Sequence, residues 1–445
     1  MSIVRHDHDF SFFRDDEEAA KMAVSLQLPP IFLYLQFPIL FLNNAVALAL
    51  GPERQFLRVS ISLPILVVFV AQSLYREWDV GWGYKYGMET FGMCLVYFYI
   101  GWILLKSPDK EGWYKIQYGK GNEQEKDKDK MTNGKMNGNG VPAKKRYQHV
   151  PGGAGTTFWS RLWWATRLSF TNRYVGWSQQ VKGVVMEVPS DYPRLRFIVE
   201  KLIHGLIYWA ISDILTAYSA ASPYGTFADL QSSSAKPYQP FAPDAPFWAV
   251  RFWYTWVHIL ITWSTLSICF ALNSILAVAL GFANPRDCPS GFGHVRDLWS
   301  VRQAWSVVWH QQLRFICSAP AMWLARDVFG FPKGSFGSRY VQLFVTFTNS
   351  AIIHSAAAML VNQAWSDDGG SVFFMSQAVI ILVEDHLIAL GKKMGFRDNL
   401  MWRMVGLVWT VIMIGWPAEY WIRRQISYGI WVHERSPDLL GIGPK

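Results

Sequence analysis

Residues 289–314 have the sequence P-S-G-F-G-H-V-R-D-L-W-S-V-R-Q-A-W-S-V-V-W-H-Q-Q-L-R and lie between two strongly apolar parts of the chain. This stretch, which we call the signature segment, brings Trp305, Trp309 and His310 close to three arginines. Charged and ionisable side chains are costly at membrane depth, so they normally face a protein interior or a watery cavity and mark function. We therefore expect the functional site of the protein in this segment.

The composition around the signature segment is typical of a membrane protein. Apolar residues make up 51% of the 445 residues and charged residues 17%, with 23 Trp, 19 Tyr and 29 Phe. Soluble proteins carry about 25% charged residues. Apolar runs of about 20 residues predict transmembrane helices, and Trp and Tyr are enriched where such helices meet the membrane surface. We predict an all-α fold, a polytopic transmembrane helix bundle with roughly eight or nine membrane segments.

The net charge of +9 does not indicate a nucleic-acid partner. The basic residues flank apolar segments, where positive charge is the ordinary signal of membrane topology. The same rule predicts that residues 305–329 dip into the membrane and return, because a full crossing would place the basic residues of 392–403 in the lumen. The four cysteines form no C-x-x-C pair, so neither a disulfide framework nor a zinc site is predicted.

Changes in composition along the chain predict five regions. They are a polar N-terminal tail (1–27), N-terminal membrane helices (28–105), a charged loop (106–157), a core (158–425) and a C-terminal tail (426–445). The loop is rich in Lys, Asp, Gly and Asn and cannot bury enough apolar surface to fold. We predict that it is a disordered basic loop on the cytosolic side of the membrane.

Four stretches of the core resemble one known family, and one of them is the run F-F-M-S-Q-A-V-I-I-L-V-E-D that ends at Asp385. The order Ser300-x-Arg302-x-x-Trp305-x-x-x-Trp309-His310-Gln311 resembles the signature of the wax-synthase-like branch of the membrane-bound O-acyltransferases. Asn349-Ser350-Ala351-Ile352-Ile353-His354 resembles that family's second signature, an intramembrane histidine in an apolar helix. Arg173-Tyr174-Val175-Gly176-Trp177 is similar to the R-G-x-G-W element of fungal members, although Tyr174 stands where those members have the first glycine.

The resemblance covers roughly residues 160–425 and implies a helix bundle that encloses a catalytic tunnel. Acyl-CoA would enter this tunnel from the cytosol and a lipophilic alcohol would enter from the membrane lipid. The histidine clusters of membrane iron enzymes and the H-E-x-x-H zinc motif are absent from the sequence, so we predict no metal site. No cofactor is implied beyond acyl-CoA as the co-substrate.

His354 is the catalytic base that the resemblance implies. Position alone leaves it evenly balanced between a catalyst and a hydrogen-bonded structural histidine, because His204, His258 and His386 also lie in apolar runs. Burial favours a neutral imidazole, which can remove a proton from an alcohol. The alcohol oxygen would then attack the thioester carbonyl of the acyl donor.

His310 is the second catalytic residue that the resemblance implies, since a hydrogen-bonding side chain there would polarise the thioester carbonyl. Taken alone, Trp309-His310-Gln311 would suit an aromatic and polar belt at the membrane interface. In relatives this position carries Asn or His. Substrate-binding roles are implied for Trp305, Trp309, Gln311, Arg302, Arg314, Asn349 and Glu384. Of these, Gln311 and Arg314 are candidates to polarise the thioester carbonyl together with His310.

Arg286, Arg296 and Arg302 are candidates for contact with the phosphates of coenzyme A, because the guanidinium fork suits phosphate. Their alternative role, as charges flanking a membrane segment, is equally well supported by the sequence. Glu384 follows an apolar run and would not face lipid. We interpret it as a structural or channel-lining partner rather than a catalyst.

We predict an integral, multi-pass acetyltransferase of the endoplasmic reticulum. Its reaction would be acetyl-CoA-dependent acetylation of a hydroxyl on a lipophilic secondary metabolite, such as a terpenoid or meroterpenoid. A long-chain wax-ester synthase is the alternative within the family. A membrane transporter is the alternative from another class, but such proteins usually carry an internal repeat, and none is evident in the sequence.

Overall fold

The computed structural model of the chain describes residues 31–75, 81–118, 153–171, 173–221, 247–365, 367–427, 430 and 437–443. Within these ranges the chain forms helices joined by loops, together with an isolated antiparallel bridge between Lys115 and Trp177. The predicted all-α class is therefore confirmed for this part of the chain. The predicted tail 1–27 and most of the predicted loop 106–157 lie outside the described residues.

We number the longer helices in chain order. They are α1 (Ile31–Leu50), α2 (Gln55–Tyr75), α3 (Trp82–Tyr99), α4 (Phe158–Ser169), α5 (Arg194–Ala221), α6 (Trp248–Ala279), α7 (Arg314–Trp323), α8 (Phe336–Asn362), α9 (Gly370–Lys393) and α10 (Leu400–Ser427). The helix α3 continues as a π-helix over Ile100–Leu105. Short helical turns occupy the signature segment between α6 and α7.

Six helices in the described ranges are long and apolar enough to cross a membrane. They are Pro52–Ser73, Trp82–Leu105, Trp248–Ala279, Phe336–Asn362, Gly370–Lys393 and Leu400–Ile426. The sequence predicted roughly eight or nine segments on the basis of apolar length. Two of the other predicted segments are shorter in the structure. The apolar part of α1 is Leu35–Leu50, and α7 has 10 residues. A multi-pass membrane arrangement is supported by the six longer helices.

The helix that carries His354 has well-defined ends. Ser335 caps the start of α8, where its hydroxyl accepts a hydrogen bond from the backbone N–H of Ser338 at 3.2 Å. Such a cap satisfies one of the amides that a helix start leaves without a partner. The helix ends at Asn362, and the next residue, Gln363, has a positive φ of 51° that turns the chain away. Between these ends the helix is long enough to place His354 deep inside the bundle.

Two clusters of buried apolar side chains meet at α3 and α8. The first cluster joins α1, α2 and α4 to Leu95 of α3 and Ile353 of α8. The second joins α9 and α10 to Tyr86 of α3 and Ala351 of α8. The two central helices also pack directly against each other. Because His354 follows Ile353, it lies where the two clusters adjoin.

Candidate active site

The signature segment forms a broken helix. Its first turn, Val301–Gln303, continues as a π-helix over Ala304–Val308, and the backbone is then extended at Trp309. A 3-10 turn over Gln311–Leu313 follows and leads into α7. Short π-helical segments occur frequently at functional sites because they aim side chains that a regular helix would turn away. The break places His310 between two helical pieces instead of on a continuous helix face.

Ser300 and Glu384 hold the start of this broken helix. The Ser300 hydroxyl accepts a hydrogen bond from the Gln303 amide at 3.1 Å. The Glu384 carboxylate of α9 accepts from the amides of Val301 at 2.7 Å and Arg302 at 3.0 Å. A carboxylate at a helix N-terminus satisfies unpaired amides and favours the helix dipole. These contacts are consistent with a structural role for Glu384, which is one of the roles that the sequence suggested.

Arg302 points to the same helix α9. Its guanidinium forms a two-pronged pair with Asp385, at 2.8 Å from Nε to Oδ1 and 2.5 Å from Nη2 to Oδ2. Arg339 also pairs with Asp385 at 2.8 Å. Arg286, which was also predicted to contact phosphate, has its guanidinium carbon 5.5 Å from the ring centre of Tyr118. Contact of these arginines with phosphate stays a prediction, and the geometry of Arg302 favours a role in fixing the signature segment.

His354 lies among aromatic rings. Its ring stacks on Phe374 of α9, with centroids 4.8 Å apart and planes 13° apart, and meets the edge of Trp421 of α10 at 5.4 Å. Its Nδ1 lies 2.9 Å from the hydroxyl of Tyr86 on α3. These contacts come from three different helices, so the imidazole points into the bundle. One ring nitrogen is occupied by Tyr86, and the other is directed away from it.

His310 also lies among rings. Phe292 meets it edge-on at 5.9 Å, Phe270 lies at 6.3 Å, and Trp309 lies at 5.5 Å between ring centroids. Its Nδ1 is buried and has no hydrogen-bond partner among the described residues. A buried polar nitrogen without a partner is uncommon in proteins and calls for an explanation, such as a catalytic role or a bound water. The nitrogen can therefore take a further hydrogen-bond partner.

Aromatic side chains connect the two histidines. Trp309, next to His310, has its ring 6.3 Å from that of Trp305, and Trp305 lies 6.3 Å from Phe374, which stacks on His354. The structure therefore brings together His310, Trp305, Trp309 and His354, which the resemblance had implied separately.

The remaining predicted site residues bind backbone groups. The amide nitrogen of Gln311 donates to the Ser306 carbonyl at 2.6 Å, and Arg314 donates to the same oxygen at 3.0 Å. These bonds hold the two sides of the break together. Asn349 donates to the Cys317 carbonyl at 2.8 Å and so ties α8 to α7. Direct substrate contact by these three side chains stays a prediction.

The R-G-x-G-W resemblance marks a loop that packs against the signature segment. Arg173 donates to the carbonyls of Ser290 at 2.8 Å and Pro289 at 2.6 Å. Tyr174 stands where fungal members of the family have glycine, and its backbone has the positive φ of 52° that glycine adopts easily. Its buried side chain offsets the strain, since its ring meets Trp113 edge-on at 5.0 Å and its hydroxyl accepts a hydrogen bond from Trp102 at 3.0 Å.

Sequence reasoning missed the contribution of α3. Tyr86 contacts His354, Trp82 donates to the Asn362 side chain at 2.7 Å, and Tyr97 donates to Asn349 at 3.4 Å. All three partners lie on α8, more than 250 residues away in the chain. Tyrosine and tryptophan in a membrane helix are typical of interfaces, so no sequence signal distinguished these residues.

Comparison with known proteins supports the resemblance. The model of the membrane bound O-acyl transferase family matches residues 288–376, which contain the signature segment and His354. Acetyltransferase sirH of Leptosphaeria maculans is 40% identical over 415 residues, which are 93% of this chain and 96% of that protein. Acetyltransferase ple2 of Rhodocybe pseudopiperita is 31% identical over 287 residues, 64% of this chain and 72% of that protein. No solved structure matches the chain.

The match with sirH spans nearly the whole of both proteins, so it includes the N-terminal helices as well as the signature segment. The resemblance that was based on four short stretches is thereby confirmed. The chain belongs to the membrane bound O-acyl transferase family, alongside these fungal acetyltransferases.

Proposed function

We propose that the protein transfers the acetyl group of acetyl-CoA to a hydroxyl group of a lipophilic secondary metabolite, such as a terpenoid or meroterpenoid. The reaction takes place between His354 and His310. The observation that carries this proposal is the row of aromatic rings that joins the two histidines at the break in the signature segment. The relatives described above are acetyltransferases by name, which supports acetyl-CoA as the donor.

His354 acts as the general base in this proposal. With a hydrogen on Nδ1 donated to the Tyr86 oxygen, the Nε2 lone pair is available to the hydroxyl group of the acceptor. As the acceptor oxygen attacks the thioester carbon, its proton moves to Nε2. The tetrahedral intermediate then breaks the carbon–sulfur bond, and the proton on His354 passes to the departing CoA thiolate. The products are the acetate ester and free coenzyme A.

His310 stabilises the negative charge that develops on the thioester oxygen. Its imidazole is fixed by three surrounding rings, so a donor at this position needs little reorganisation during the reaction. The rings of Trp305 and Phe374 restrict water near the two histidines. Exclusion of water protects the thioester from hydrolysis and strengthens electrostatic contacts in the site.

The membrane setting supports a lipophilic acceptor. The six membrane-length helices expose many apolar side chains, which suits a protein surrounded by lipid. We propose that the acceptor enters the catalytic tunnel from the lipid phase and that the donor enters from the cytosol. We also propose that the protein resides in the endoplasmic reticulum and that residues 158–425 form its catalytic core. Helix α3, which lies within residues 28–105, adds Tyr86 to this core.

The test is an assay of microsomes that contain the protein, supplied with labelled acetyl-CoA or palmitoyl-CoA and a set of terpenoid alcohols. We expect an acetate ester to form from acetyl-CoA, with much less ester from palmitoyl-CoA. Microsomes that contain His354→Gln protein serve as the matched control. Ester formation from palmitoyl-CoA alone would support a wax-ester synthase instead. Movement of the alcohol across the membrane without consumption of acyl-CoA would support a transporter.

Tyr86 is a positioning residue, because it orients His354 through Nδ1. We expect Tyr86→Phe to lower kcat roughly tenfold, since a hydrogen bond contributes about 0.5–1.5 kcal/mol and 1.36 kcal/mol corresponds to a factor of ten. The KM values should stay near those of the wild type, because the hydroxyl contacts the base and not the substrates. Steady-state kinetics on purified protein in detergent measures both constants.

Tyr97→Phe is the control for Tyr86→Phe. It removes a hydroxyl from the same helix α3, where the partner on α8 is Asn349 and not the catalytic histidine. The pH at which kcat falls to half its maximum should change in Tyr86→Phe and stay constant in Tyr97→Phe. Equal effects of the two variants on kcat and on the pH profile would mean that Tyr86 only packs the helices together.

A further inference from the structure

A small cavity lies on the side of the signature segment that faces α4 and α6. It has a volume of about 40 Å³, and its wall includes Lys115, Arg167, Arg173 and Asp287. A bound water needs about 10–15 Å³ of such volume, so the cavity has room for a group of several heavy atoms. The four charged residues come from three parts of the chain, since Arg167 and Arg173 are only six residues apart. We call this cavity the cationic pocket.

Positive charge predominates in the cationic pocket. Three cations in its wall face one carboxylate, and Asp287 already binds Lys115 and accepts from the Tyr118 hydroxyl at 2.6 Å. Arg173 is anchored by the two carbonyls of the signature segment described above. The resulting surplus of positive charge in a partly buried site favours an anion.

Arg167 is the cation with the most unused hydrogen-bonding capacity. Its Nε donates to the carbonyl of Phe282 at 3.1 Å, and its terminal nitrogens have no hydrogen-bond partner among the described residues. A guanidinium held by one nitrogen presents its other N–H groups in a fixed plane, which matches the oxygens of a phosphate. An anion in the pocket would therefore receive directed hydrogen bonds as well as charge.

Burial already disfavours the charged forms of these side chains. It lowers the pKa of Arg167 and Lys115, and it lowers the pKa of Arg173 to about 10, while the charge of Asp287 acts in the opposite direction on Lys115 and Arg167. Desolvation of three cations in one place is costly. A bound anion would offset this cost, because each cation would gain an oppositely charged neighbour.

The cationic pocket adjoins the proposed catalytic centre. Phe270 belongs to its wall and lies 6.3 Å from the ring of His310 between centroids. Gln312, two residues after His310, also lines it. A ligand that is anionic at one end and extends past Phe270 would reach the signature histidine with its other end. Coenzyme A has this form, with phosphates at one end and the thioester at the other.

We infer that the cationic pocket binds a phosphate group of the acyl donor, with Arg167 as the main contact. This inference rests on the proposed function, because it takes acetyl-CoA as the donor. It adds Arg167, Arg173 and Lys115 to the arginines for which the sequence predicted phosphate contact, Arg286, Arg296 and Arg302. A membrane phospholipid offers the same phosphate chemistry, so the test must separate the two sources.

The test compares two donors on one variant. Arg167→Gln keeps a polar side chain but removes the charge, and its kinetics are measured with acetyl-CoA and with S-acetyl-pantetheine, which lacks phosphate. We expect kcat/KM for acetyl-CoA to fall roughly tenfold or more, since hydrogen bonds to charged groups contribute about 1.5–3 kcal/mol. We expect kcat/KM for S-acetyl-pantetheine to stay at the wild-type value. Arg167→Lys should recover part of the lost efficiency with acetyl-CoA.

Arg161→Gln is the matched control on the same helix, because the Arg161 guanidinium donates to Gly155 and not into the cationic pocket. It should leave kcat/KM unchanged with both donors. Unchanged use of S-acetyl-pantetheine by Arg167→Gln also shows that the variant is folded. An equal loss with both donors would indicate a structural or phospholipid-binding role and overturn the inference. A wild-type protein that uses neither donor would overturn the proposed function, and this inference with it.

Discussion

His354→Gln is expected to lower kcat for acetyl transfer by roughly 10²–10⁴-fold, the usual contribution of a general base. Glutamine can keep a hydrogen bond to Tyr86 but cannot accept the proton of the acceptor alcohol. The variant should therefore reach wild-type levels in the membrane while ester formation is lost. The measurement is ester yield per unit of protein in matched microsomes, with protein quantified by immunoblot.

His204→Gln provides the control, because His204 lies on the exposed side of α5 and also stands in an apolar run. It should retain wild-type activity. This pair of variants separates the effect of losing an imidazole in the bundle from the effect of losing one at its surface. Normal turnover by His354→Gln would mean that His354 is a packing residue among the rings of Phe374 and Trp421.

His310→Ala is the second substitution with a large expected effect. Removal of one donor to a developing oxyanion typically costs about 10²–10³-fold in kcat. The KM for the acceptor alcohol should change far less, because the donor acts mainly in the transition state. Single-turnover kinetics with labelled acetyl-CoA distinguishes slow chemistry from slow product release in this variant.

His310→Asn tests whether a hydrogen-bonding group is the essential property at this position. Relatives carry Asn or His here, so we expect this variant to keep most of the wild-type kcat. Its amide can donate a hydrogen bond in the same direction as the imidazole. Equal loss in His310→Ala and His310→Asn would contradict the oxyanion role and indicate a role that depends on the imidazole ring itself.

The sequence could predict the location of the candidate site because its motifs are local. Ser300, Arg302, Trp305 and His310 stand at short spacings in one segment, and the charged and ionisable side chains among them are unsuited to lipid. The same sequence could not predict the π-helical break at Ala304–Val308. A helical pattern places residues by periodicity, whereas this break depends on bonds from outside the segment, such as those from Glu384 to its first amides.

The partners of the candidate site residues were less accessible to sequence reasoning. Tyr86 is 268 residues away from His354, and Lys115 is 172 residues away from Asp287. Taken alone, a tyrosine in such a sequence is typical of a membrane interface and a lysine is typical of a loop. Neither residue by itself therefore indicates a role in the site. Only the packing of α3 on α8, and of the segment around Lys115 beside the loop that precedes the signature segment, brings such pairs together.

The sequence by itself determined the membrane class, the all-α fold and the family, because apolar length, charge placement and short motifs are properties of neighbouring residues. The tertiary structure decided what each polar group touches. It set Arg302 against Asp385 and Glu384 against a helix start, and it gathered Arg167 and Arg173 into one pocket. Charges in an apolar bundle are stable only beside a partner, and the partner is chosen by how helices far apart in the chain pack together.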